Sequence, residues 1–64
     1  MKRRKLLQHL GQHGCVIRRE GARHTIIRNT VNGRQSEVPR HPEIDFGLVR
    51  KICKQLGVPA PSER

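Results

Sequence analysis

The stretch Thr25-Ile26-Ile27-Arg28-Asn29-Thr30-Val31-Asn32-Gly33-Arg34-Gln35-Ser36-Glu37-Val38-Pro39 decides the fold. Asn32-Gly33 is a strong short-range hairpin signal, because a type I′ turn needs positive φ at both central residues and these residue types tolerate it. β-Branched residues gather before the turn, and Pro39 closes the run after it. A two-residue loop at Asn32-Gly33 predicts that Val31 faces Arg34, Ile27 faces Val38 and Arg28 faces Glu37. Ile27 and Val38 then share the core face, while Arg28, Glu37, His24 and Ile26 share the other. The two strands are expected over residues 23–31 and 34–39.

Working outward, Cys15-Val16-Ile17 opens a strand over residues 15–20, joined to the next around Gly21-Ala22. An even-numbered loop there would turn Val16 and Arg18 to the core. An odd-numbered loop or a bulge would turn Cys15 and Ile17 inward, and is preferred because it buries two apolar residues and frees Arg18. Before this strand, Leu6, Leu7 and Leu10 fall on one face of a helix over residues 2–12, closed by Gly11 and Gly14. After the hairpin, Pro39-Arg40-His41-Pro42 forms a rigid connector. Asp45 then caps a second helix that Gly57 stops, with Val49, Ile52, Cys53 and Leu56 as its apolar stripe. Arg50, Lys51 and Lys54 face away from that stripe. The order is α-β-β-β-α, which predicts an α+β fold: a three-stranded antiparallel sheet with two helices on one face and the other face open. One domain over residues 1–58, followed by a flexible C-terminal tail over residues 59–64, accounts for the chain.

A chain of 64 residues supports one small core and no multi-site machinery. Its 14 lysines and arginines against 5 acidic residues give a net charge of +9, a field that attracts polyanions, nucleic acid first. A membrane surface is the weaker partner, since an interfacial helix wants a broad apolar face with Trp or Phe, and the chain has no Trp, no Tyr and one Phe. The same poverty argues against base stacking on an aromatic platform, so contacts should run through phosphates and sugars. No apolar run exceeds Cys15-Val16-Ile17, leaving no membrane span or secretory signal, and the expected location is the cytoplasm. Cys15 and Cys53 lack paired metal-ligand spacing and sit in apolar context, as reduced core thiols do, so neither metal nor cofactor is expected.

Paired carboxylates, nucleophile elbows and glycine-rich phosphate loops are absent, and histidine among arginines remains. That combination suits RNA, which carries its own nucleophile, the 2′-hydroxyl. Cleavage then needs a base, an acid and cations to hold the charge that builds on phosphorus. His24, between Arg23 and Arg28 at a strand start, fits catalysis, phosphate binding or an ordinary exposed position. His41, beside Arg40, is a candidate partner in acid/base work or an ordinary loop residue. His9 lies off the leucine face and is expected in solvent, and His13 is placed to cap the first helix. The run Lys2-Arg3-Arg4-Lys5 opposes the helix macrodipole, as either a phosphate anchor or a frayed start would. Arg50, Lys51 and Lys54 are equally a phosphate ladder or a polar helix face.

Taken together, Gly14, Gly21, His24, Asn32-Gly33, Val38-Pro39-Arg40-His41 and Arg50-Lys51-Ile52, in this order, resemble the HicA-type toxin family of small bacterial mRNA interferases. The resemblance covers about residues 1–58. It implies a fold similar to the double-stranded RNA-binding domain, metal-free RNA cleavage, and an acidic HicB-type antitoxin that covers the active site. It places His24 in the catalytic position, after Gly21-Ala22-Arg23 where the family commonly has a Gly-Ser pair. The cations Lys2, Arg3, Arg4, Lys5, Arg23, Arg28, Arg40, Arg50, Lys51 and Lys54, with His41, are then the RNA-binding set. A non-catalytic RNA-binding module of the same fold is the competing class, and it would not need His24.

Overall fold

The alternation around Ile27 and Val38 carries into three dimensions in the computed structural model, which describes residues 1–62. The elements are α1 (Arg3–Gln12), β1 (Cys15–Glu20), β2 (His24–Asn29), β3 (Gln35–Pro39) and α2 (Phe46–Leu56). The sheet is antiparallel in the order β1-β2-β3. Leu6 and Leu10 of α1, Ile27 and Val38 of the sheet, and Val49, Ile52, Cys53 and Leu56 of α2 form one buried cluster with Cys15 and Ile44. Both helices therefore cover the same sheet face, the expected α+β arrangement, and the other face is open.

The hairpin differs from the expected one in its loop. Asn29 and Arg34 close it, with Asn29 N–H donating to the Arg34 carbonyl at 2.8 Å and Gly33 N–H to the Asn29 carbonyl at 2.8 Å. Residues 30–33 are thus the loop, and the strands end short of the expected 31 and 34. The register moves by two: Ile27 lies opposite Ser36, Val38 opposite Thr25, Glu37 opposite Ile26 and Arg28 opposite Gln35. None of the expected pairs forms, yet an even shift preserves every face, so Ile27 and Val38 remain buried. Only Gly33 takes positive φ, at 77°, where a type I′ turn would also need it at Asn32. Asn32 instead donates its side-chain amide to the Leu56 carbonyl at 3.0 Å, and Asn29 donates to the same oxygen at 2.9 Å. The loop spends its amides closing the end of α2, which leaves C-terminal carbonyls without helical partners.

On the other side of β2, the bulge holds. Ile17 lies opposite Ile27 and Arg19 opposite Ile26, so Arg18 is the extra residue. Cys15 is buried as expected, but Ile17, on the helix side of the sheet, is 51% exposed: burial on this edge strand stops at Cys15. The bulge also resets β1 beyond it. Glu20 lies opposite Thr25 rather than opposite His24, where an unbroken ladder from Cys15–Asn29 would have set it.

The start of α1 is not frayed. Arg3 N–H donates to the Pro42 carbonyl at 2.8 Å and Ile44 N–H to the Met1 carbonyl at 2.7 Å, so the chain ahead of each helix pairs with the other. Lys2 sits 3.7 Å from the Glu43 carboxylate. Gly11 lies within α1, whose end is formed by His13 and Gly14. Asp45 caps α2, its Oδ2 accepting from Gly47 N–H at 3.0 Å and Leu48 N–H at 3.4 Å, and Gly57 ends it. His9 is not simply solvated: its Nε2 lies 2.7 Å from the Pro59 carbonyl and its ring centroid 4.7 Å from that of His13. Pro59, at the start of the expected tail, is thereby held to α1, and residues 63 and 64 of that tail lie outside the described residues.

Candidate active site

Gly21 sets the position of His24. Its N–H donates to the His24 carbonyl at 2.8 Å, and a Cβ on Gly21 would come within 2.9 Å of that oxygen. Only glycine permits so close an approach, so the turn Ala22-Arg23 is tight and His24 starts β2 at once. The side chain of His24 points to the open sheet face and is 51% exposed. It lines a cleft of about 410 Å³ together with Ala22, Arg23, Pro39, Arg40 and His41. The two segments that build this cleft are tied together, since Arg40 N–H donates to the Arg23 carbonyl at 3.3 Å and Arg40 Nη1 to the Gly21 carbonyl at 3.1 Å.

Arg40 also lines a second cleft, of about 410 Å³, with Lys2, Arg3, Arg4 and Pro42. Its cations are of two kinds. Arg3 is a structural arginine: Nη2 donates to Thr25 Oγ1 at 2.6 Å, Nε donates to the Pro39 carbonyl at 3.0 Å, and Nη2 lies 3.8 Å from Glu20. Arg4 is exposed and stands with Lys5 and Gln8 at a further surface cleft. The expected run of four equivalent phosphate anchors is therefore divided, Lys2 holding Glu43 and Arg3 holding the sheet.

Glu20 and Thr25 belong to this site and were not singled out from the sequence. Thr25 is fully buried, and its hydroxyl donates to Glu20 Oε1 at 2.9 Å. Glu20 Oε2 lies 3.9 Å from Arg40 Nη1, so one carboxylate joins Arg3 and Arg40. The parity of Thr25 with Ile27 places it on the core face, but the position of the bulge at Arg18, which brings Glu20 to it, leaves no local signature.

The remaining cations lie apart. Arg28 is exposed on the open face, opposite Val16 and Gln35. Lys51 lines a groove between β3 and α2 with Glu37, Leu48 and Gln55. Arg50 stands 5.8 Å from the centroid of the Phe46 ring, and Lys54 is exposed in the last turn of α2. Glu37, expected to pair with Arg28, instead has its Oε1 3.8 Å from His24 Nδ1. Burial pushes the thiols of Cys15 and Cys53 up, and the proximity of Cys15 adds to the rise at Cys53. Among the described residues, no group of three or more His, Cys, Asp or Glu could hold a metal ion, and no helix is long and apolar enough to cross a membrane.

His24 thus shares its cleft with Arg23, Arg40 and His41, and comparison with known proteins bears on what this arrangement serves. No curated protein and no solved structure gave a match. The family model described as the HicA toxin of bacterial toxin-antitoxin systems matches residues 3–58. That span takes in both helices, all three strands and the whole His24 cleft, and the chain belongs to the HicA toxin family.

Proposed function

We infer that this toxin is a metal-independent mRNA interferase, an endoribonuclease in which His24 is the general base. The observation that carries the reading is the cleft itself: the half-exposed His24, with His41, Arg23 and Arg40, lines one space large enough for a phosphodiester. His24 takes the proton of the 2′-hydroxyl. The 2′-oxygen then bonds to phosphorus, the bond from phosphorus to the 5′-oxygen breaks, and the leaving oxygen takes a proton from His41. Arg23 and Arg40 stabilise the charge that builds on the phosphoryl oxygens. The cations Arg4, Lys5, Arg28, Arg50, Lys51 and Lys54 hold the flanking backbone without reading sequence. Charge also supports the partner: an acidic HicB-type antitoxin would meet a surface of net charge +9 with fast association and would cover His24.

The test is His24→Ala, assayed for toxicity on expression, for cleavage of RNA and for RNA affinity. Cleavage and toxicity should be lost, while fold and affinity stay near wild type, because the side chain packs against little and phosphate contacts are shared among many groups. Wild-type cleavage by the variant would overturn the assignment in favour of a module that binds RNA without cutting it.

A further inference from the structure

We propose that Glu37 is the positioning residue for His24. This rests on the reading of His24 as the general base, and goes beyond it by naming what fixes that base. Four carboxylates lie among the described residues. Glu20 pairs with Arg3 and Arg40, Glu43 with Lys2, and Asp45 caps α2 through the amides of Gly47 and Leu48. Among the described residues Glu37 is paired with no lysine or arginine: the group beside it is the His24 imidazole, Oε1 to Nδ1 at 3.8 Å.

The sheet explains the pairing. Pro39 lies directly opposite His24, and its ring offers no donor or acceptor. Glu37 lies two residues back on the same open face, a diagonal neighbour that a long side chain reaches. The bulge at Arg18 completes the arrangement by carrying Glu20 to the helix side, so the nearer glutamate in sequence is withdrawn from His24 and the one across β3 replaces it.

A carboxylate facing Nδ1 does two things. Brought to hydrogen-bond distance, it accepts a hydrogen bond from Nδ1–H, and the tautomer so favoured carries its lone pair on Nε2. It also stabilises the imidazolium formed when Nε2 takes the 2′-hydroxyl proton. The separation is longer than a hydrogen bond, as such contacts often are before substrate binds. Glu37 touches neither the sugar nor the phosphate, and its negative charge opposes the RNA, so its benefit falls on turnover and its cost on binding.

The experiment compares wild type, His24→Ala, Glu37→Ala and Glu37→Gln in steady-state cleavage of one defined RNA, with imidazole ¹⁵N spectra of His24 in the chains that keep it. Glu37→Ala should lower kcat about tenfold or more while KM stays level or falls, and the ¹⁵N spectrum should lose its bias toward the Nδ1–H tautomer. Glu37→Gln keeps an acceptor oxygen and should recover part of the rate. Glu37 is 63% exposed at the side chain, so circular dichroism should show the fold unchanged in each variant. A wild-type kcat and tautomer in Glu37→Ala, with His24→Ala inactive, would overturn the positioning role and leave the base assigned. Wild-type cleavage by His24→Ala would overturn both.

Discussion

Asn29, in the last position of β2, donates its side-chain amide to the carbonyl of Leu56 at 2.9 Å, joining the hairpin to the end of the second helix across 27 residues. The same side chain accepts from Val31 N–H at 2.9 Å, so one buried residue fixes both the loop and the helix end. Asn29→Ala should therefore lower the unfolding free energy by about 1–3 kcal/mol, the usual range when a buried hydrogen-bonding group loses its partner. Asn32→Ala, at an exposed loop position bonding the same oxygen, should cost less, about 0.5–1.5 kcal/mol. Urea denaturation of the three chains measures both, and an equal effect at the two positions would contradict the division of roles.

Arg3 and Arg4 are neighbours of one type with opposite expected behaviour. Arg3→Ala removes donors from the Thr25 hydroxyl and the Pro39 carbonyl and should destabilise the fold by about 1–3 kcal/mol. Arg4→Ala, at an exposed site, should stay within about 0.5 kcal/mol of wild type and should weaken RNA binding instead. Thermal or urea unfolding, with binding followed by fluorescence anisotropy, separates the two. A stability loss in Arg4→Ala would show that its charge is used within the fold.

Cleavage should proceed in excess EDTA and leave 2′,3′-cyclic phosphate ends, because in the proposed mechanism the substrate supplies the nucleophile and His24 the base. Replacing the 2′-hydroxyl at the cut site with hydrogen should abolish it. The products are identified by mass spectrometry, and equal cutting of the deoxy substrate would rule out His24 as the group that activates the 2′-oxygen.

Cys15 and Cys53 should react slowly with alkylating reagents in the native state and rapidly in denaturant, since burial disfavours the thiolate that reacts. The same cause sets a pH dependence. A thiol whose folded pKa is raised binds its proton more tightly in the native than in the unfolded state. Its contribution is complete below the ordinary thiol range and is lost as pH rises through and above it. Denaturation midpoints should fall on the alkaline side in wild type, and less steeply in Cys53→Ala. A slope unaffected by that substitution would assign the alkaline loss to other groups.

The sequence by itself determined the element order, the two-sided pattern of the sheet, the cap and stop of α2, and the burial of Cys15, Ile27 and Val38. These follow from periodicity and residue type, which act over a few neighbouring residues, and they survive a register error because any even shift keeps each side chain on its face. It also singled out Arg23 and His24 at a strand start and Arg40 and His41 in the proline connector, and the structure brings them to one cleft. Only the tertiary structure decided the loop length, because the carbonyl of Leu56 that draws in Asn29 and Asn32 lies on a helix 24 residues beyond Asn32. Only it separated Arg3 from Arg4, since a guanidinium becomes structural when a buried hydroxyl and a free carbonyl stand within its reach. The bulge at Arg18 decided which carboxylate faces His24, because one extra residue in an edge strand reverses the side of everything after it.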